Sequence, residues 1–148
     1  MRDVRALDSH LPIHKRLAQR YFPAVTHRGA LADFVDDLQV AGRLTFTREE
    51  ALAALGVSPG ALKQAALRLS KLGRLVSPRR GYYVIVPLEH RAAGVPPLTS
   101  WLPDFLRFHG ARGEGSEVEG GWTVVTVDRP VRPVECGPYR VRFRVQRG

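Results

Sequence analysis

The chain has 148 residues, 44% hydrophobic and 25% charged, a composition that excludes wholesale disorder and fits one ordinary domain or two small ones. A single cysteine, Cys136, excludes intrachain disulfides and cysteine-based zinc sites, and no apolar run approaches the roughly 20 residues of a membrane-spanning helix. The net charge of +9 favours a polyanionic partner, nucleic acid first and an anionic membrane surface second.

The opening residues, Met1-Arg2-Asp3-Val4-Arg5, lead into no apolar segment of the secretory kind, so a cytoplasmic setting is expected. Residues 1–29 hold six Lys/Arg against two acids around Pro12, Pro23 and Gly29, and are expected to form a flexible basic arm. His10 and His14 stand at helical metal-ligand spacing, but Pro12 between them breaks that register, so no metal is expected.

Regular structure is predicted from Ala30. Leu31, Phe34, Val35 and Leu38 recur at i, i+3, i+4 and i+7, with Asp33, Asp36 and Asp37 on the other face and Gly42 at the end, which predicts an amphipathic helix over 30–41. Thr47-Arg48-Glu49-Glu50 is a capping box, preceded by Phe46 as a hydrophobic staple, and opens a short helix to Leu55. Ser58-Pro59 starts a third helix as N-cap and N1 proline, running to about Leu72 and Gly73. Two helices joined by Gly56-Val57-Ser58 have the dimensions of a helix-turn-helix. Segments 74–77 and 82–86 predict a hairpin around Pro78-Arg79-Arg80-Gly81. Helix, helix, turn, helix and basic hairpin is the order of a winged helix-turn-helix.

Charge singles out the same region. Residues 31–57 hold two basic and five acidic side chains, whereas residues 58–86 hold Lys63, Arg68, Lys71, Arg74, Arg79 and Arg80 with no acid. On a wheel of about 100° per residue, Leu62, Ala65, Ala66, Leu69 and Leu72 anchor the third helix, while Gly60, Lys63, Gln64, Leu67 and Lys71 face away, with Arg68 at the margin. Such a helix suits the major groove: Gln64 can read adenine, and Lys63 can take guanine acceptors or a phosphate. Ser58 and the neighbouring amides present a positive helix N-terminus to a phosphate oxygen. Arg68 and Lys71 are expected on the DNA backbone, and Arg79 and Arg80 in the minor groove or on phosphates.

Beyond the hairpin, residues 89–99 are expected to link the DNA-binding unit, 30–88, to a second part, 100–148, with a short helix capped by Ser100 and a small β-rich region. Residues 110–121 (GARGEGSEVEGG) predict a mobile loop; their G-x-G lacks the third glycine and the preceding strand of a phosphate cradle. Trp122–Val127 and Tyr139–Val145 predict strands, the second alternating Tyr139/Val141/Phe143/Val145 against Arg140/Arg142/Arg144. That arginine row is a candidate secondary basic face, for phosphates or an acidic protein surface, or simply a wet face that discourages edge pairing. No P-loop, H-E-x-x-H or Cys/His cluster is present, and adjacent Asp36 and Asp37 do not share a cleft, so no enzyme activity and no cofactor are expected.

Residues Leu31–Pro97 resemble the N-terminal domain of AbiEi-type antitoxins of type IV toxin–antitoxin systems. The resemblance is carried by GRLTFTREEALAALGVS (Gly42–Ser58), ALRLSKLGRLVSPRRGYYVIVPLEHR (Ala66–Arg91) and GVPPLTSW (Gly94–Trp101), and in weaker form by FHGA (Phe108–Ala111) and VVTVDRPVRPVECGPYRVRFRV (Val124–Val145). It implies a bacterial autorepressor that binds promoter DNA through Lys63, Gln64, Arg68, Arg79 and Arg80. A nucleotidyltransferase-like toxin would be the partner of a C-terminal part that is short for this family. The fold expected is α+β, a winged helix-turn-helix followed by a small β-rich region. The oligomeric state is open, a homodimer included. The competing expectation is a protein-interaction module that binds such a toxin without a DNA role.

Overall fold

A computed structural model describes residues 29–146; the N-terminal arm and the His10/His14 pair lie outside the described residues. The described chain is a mixed α+β structure of four α-helices and two sheets. Helix α1 (Ala30–Val40) is followed by β1 (Thr45–Thr47), α2 (Arg48–Leu55), α3 (Pro59–Lys71), β2 (Leu75–Arg79) and β3 (Tyr82–Ile85). A 3-10 turn (Leu88–His90) leads to α4 (Leu98–Phe108), then β4 (Gly113–Glu119), β5 (Trp122–Val127), β6 (Val134–Cys136) and β7 (Tyr139–Val145).

Local chemistry sets the helix starts. The Thr47 hydroxyl accepts the Glu50 amide at 3.1 Å and the Glu50 carboxylate accepts the Thr47 amide at 3.1 Å, so both halves of the capping box form. Ser58 Oγ accepts the Ala61 amide at 3.1 Å ahead of Pro59. Phe46 is buried, edge-on to Phe34 and stacked on Tyr83. The three helices bury Leu31, Phe34, Leu38, Leu55, Leu62 and Leu69 in one core, each side chain contributing about 1.5–3 kcal/mol over exposure.

The first sheet is antiparallel, β1–β3–β2, so a three-residue strand too short to show a period closes the hairpin. Its central strand has two buried faces. Ile85, with Tyr83 partly buried beside it, packs on the helical core, while Tyr82 and Val84 belong to a second core with Trp101 and Phe105 of α4 and the inner face of the second sheet. Thr45 Oγ1 donates to Asp104 Oδ2 at 2.9 Å, and Tyr82 Oη donates to the Trp101 carbonyl at 3.3 Å, fastening α4 to this sheet. The second sheet has the order β4–β5–β7–β6; β7 lies inside it, parallel to β5 and antiparallel to β6.

Three expectations are corrected. Residues 89–99 are no spacer: Val95 and Pro96 are buried, and α4 already begins at Leu98 after Pro97, with Ser100 Oγ turned back to the Pro97 carbonyl at 2.6 Å. The segment 110–121 contains a seven-residue strand, because pairing with β5 supplies the order that its Gly- and Glu-rich composition does not announce. Leu72 closes α3 as its C-cap and is 67% exposed instead of anchoring it.

Candidate nucleic-acid interface

The outward face of α3 carries Gly60, Lys63, Gln64, Leu67, Arg68 and Lys71, all exposed. Their spacing divides them between two flanks. Gly60, Lys63, Leu67 and Ser70 line a groove whose far wall is the β2–β3 turn, Arg80 and Gly81, with Ser77. Gln64 and Arg68 line a second depression between α3 and α1. Lys63 and Gln64 therefore sit side by side on the crest of the helix, and Leu67, 47% exposed, lies one turn on toward the hairpin.

The groove has a third cationic wall that a reading of periodicities misses. Pairing of Thr47 with Tyr82, and donation of the Arg48 amide to the Gly81 carbonyl at 2.9 Å, bring the first turn of α2 against the hairpin turn. Arg48 and Tyr83 thereby line the groove with Lys63 and Arg80. Arg48 directly follows the capping threonine, and that position, combined with β1, is the signal that would find it. Burial raises the Tyr83 phenol above its ordinary pKa, and Arg48 opposes that shift.

Among the described residues no acid lines this groove. Of the neighbouring carboxylates, Glu50 is engaged with Arg43 at 2.9 Å and Asp36 with Arg74, whereas Glu49, beside Arg48 in the first turn of α2, is exposed. Arg48, Lys63, Arg68, Lys71 and Arg80 form no ion pair with another described residue, so the side of the molecule built by α3, the turn and the start of α2 carries a net positive charge, with Glu49 as the acid at its α2 end.

Arg79 does not belong to it, contrary to expectation. A register shift between Val76 and Arg79 turns this side chain to the other side of the hairpin. There it donates to the Arg132 carbonyl at 2.7 Å, the Pro133 carbonyl at 3.4 Å and His109 Nε2 at 3.2 Å, and lies over the Phe105 ring. Its groups are consumed in joining the hairpin to the second core. The Arg140/Arg142/Arg144 row is likewise not an open basic face. Arg140 pairs with Glu135 at 3.2 Å, Arg142 with Glu119 at 3.6 Å, and Arg144 with Glu117 at 3.1 Å and Glu119 at 2.9 Å; Arg140 and Arg142 also lie over Trp122. Three arginines meet three glutamates.

Among the described residues no group of three His, Cys, Asp or Glu side chains could hold a metal ion, and no helix is long and apolar enough to cross a membrane. Cys136 is buried, and burial pushes its thiol up to about 11, away from the reactive thiolate. Comparison of the chain with protein-family models, with curated proteins and with solved structures finds no match.

Proposed function

We propose that this protein binds duplex DNA through a winged helix-turn-helix of residues 30–88, with α3 in the major groove and the β2–β3 turn along the adjacent backbone. The observation that carries the reading is the acid-free groove in which Lys63 of α3, Arg80 of the turn and Arg48 of α2 converge. A convex helix between two depressions can enter a groove roughly 12 Å wide while the turn follows the phosphates.

In this reading Gln64 reaches a base edge from the N-terminal half of α3, Lys63 beside it takes a phosphate, and Leu67 meets a thymine methyl. Ser58 spends its hydroxyl on the helix cap, so its contribution is to fix the N-terminus; open space at Gly60 lets a phosphate approach the amides there. Arg68 and Lys71 hold one strand, and Arg48 and Arg80 the other. The resemblance to AbiEi-type antitoxins extends the proposal to autorepression of a toxin–antitoxin operon in the bacterial cytoplasm, with a nucleotidyltransferase-like toxin as partner.

The test is fluorescence anisotropy on the DNA upstream of the protein's own reading frame, against an unrelated duplex, across a salt series. Each phosphate contact adds about −0.9 to the slope of log affinity against log salt, so the five cations predict a slope near −4 or −5. Lys63→Ala or Arg80→Ala should each flatten it by about one contact. Gln64→Ala should cost about 1–3 kcal/mol at a single base position and leave other positions alone. A flat salt response, or equal loss on every sequence with Gln64→Ala, would remove respectively the electrostatic premise and the base-reading role.

A further inference from the structure

An open cleft of about 820 Å³ lies between α4 and the inner face of β4, apart from the α3 groove. Its floor is apolar, formed by Leu102 and Leu106 of α4 and Val125 of β5. Small residues on β4 keep it open. Gly113 lets the strand run so close to α4 that a Cβ there would come within 2.9 Å of Leu106 Cδ1. Ser116 pairs opposite Val125, at a position where a large side chain would roof the floor. Val118, two residues further along the same face, is 77% exposed.

Among the described residues the rim carries Arg107, Arg112 and Arg129 against one acid, Asp128. Arg107 is paired with Asp104, and Asp128 Oδ1 accepts the Arg112 backbone amide at 2.8 Å. The guanidinium groups of Arg112 and Arg129 form no ion pair with a described residue. Two such groups above an apolar floor are matched by a ligand with the opposite character at each end. A guanidinium fork takes a carboxylate or phosphate bidentately, and low-dielectric walls strengthen that attraction. The volume is that of small-molecule sites. A polypeptide strand adding to β4 fits less well, since the irregularity between Gly113 and Gly115 interrupts the ladder beside the cleft.

We propose that the α4–β4 cleft binds a small amphiphilic anion, its charged head held by Arg112 and Arg129 and its apolar body laid on Leu102, Leu106 and Val125. This site does not depend on the DNA reading.

Isothermal titration calorimetry of the full chain with octanoate, octyl phosphate, octanol and inorganic phosphate tests it. Octanoate or octyl phosphate should bind at least about tenfold more tightly than octanol or inorganic phosphate, and the better of the two identifies the head group. The double variant Arg112→Ala/Arg129→Ala should weaken the preferred anion by about tenfold or more. Ser116→Phe, at an exposed position, should block the floor and abolish binding with the unfolding midpoint unchanged. Absence of binding by both amphiphilic anions, octanol binding as well as they do, or binding undiminished in the double variant would each overturn the proposal.

Discussion

Arg79 and Arg80 are neighbours in the sequence and point to opposite sides of one hairpin. Arg80 lines the α3 groove, whereas Arg79 gives its N–H groups to two carbonyls and a histidine of the C-terminal half. Composition counts the two as equals, and only the irregularity between Val76 and Arg79 separates them, a feature set by strand pairing and invisible to local patterns. The separation is measurable. Arg79→Ala should lower unfolding stability by about 1–2 kcal/mol, the scale of lost charge-assisted hydrogen bonds in a partly solvated place, and leave the salt slope of DNA binding intact. A flattened slope with unaltered stability would return Arg79 to the interface.

At the scale of elements, the helices were legible because their signals are local: a capping box, a Ser-Pro start and an i, i+3, i+4 stripe are all contained within one turn or two. Strands β1, β4 and β6 were not, since three residues show no period and GEGSEVE has one apolar residue in seven. What makes β4 a strand is the neighbour β5 and the arginines of β7, which reach across to Glu117 and Glu119. Val124 lies on that same face of β5 and is 2% exposed. Exposed pairs of this kind contribute about 0.2–1 kcal/mol each. Arg144→Ala should therefore lose about 1 kcal/mol in a denaturant titration at low salt and less at high salt, without weakening DNA binding. The turn between β6 and β7 is stricter. Gly137 has φ +57° and a Cβ there would lie 2.6 Å from Val95 Cγ1, so Gly137→Ala should cost about 1–3 kcal/mol by the same titration.

For the whole molecule, the expected division at residues 89–99 gives way to a shared strand: the two faces of β3 serve two cores, so the described residues should unfold in one transition. The hydrophobic runs near Tyr82–Val86 were legible as a strand, but not that both of its faces would be covered, because the second cover comes from α4, some twenty residues on. His109 sits at this junction, accepting from Arg79 and packed on the rings of Phe105 and Phe108. Burial, and then the charges of Arg79 and Arg132, hold its imidazole below the ordinary histidine pKa. The unfolded chain thus takes a proton more readily, so stability is complete above about pH 6.5 and declines as the pH falls below it. The unfolding midpoint should drop between about pH 7.5 and pH 5.5, and His109→Gln, which keeps an acceptor for Arg79 without titrating, should shrink that drop. An identical drop in the variant would place the acid sensitivity elsewhere.

The position of β7 has a bearing on how the protein is made. β5 and β6 emerge from the ribosome before it, yet neither touches the other in the finished sheet; β5 has β4 on its other side, but β6 is joined only to β7. While residues 139–145 are still inside the exit tunnel, the valines of both strands have no common partner. The helical half, by contrast, has its α1–α3 contacts available from the moment residue 71 is free. Synthesis should therefore leave a nascent chain with an ordered front and an unpaired β6 until β7 slides into the gap waiting for it.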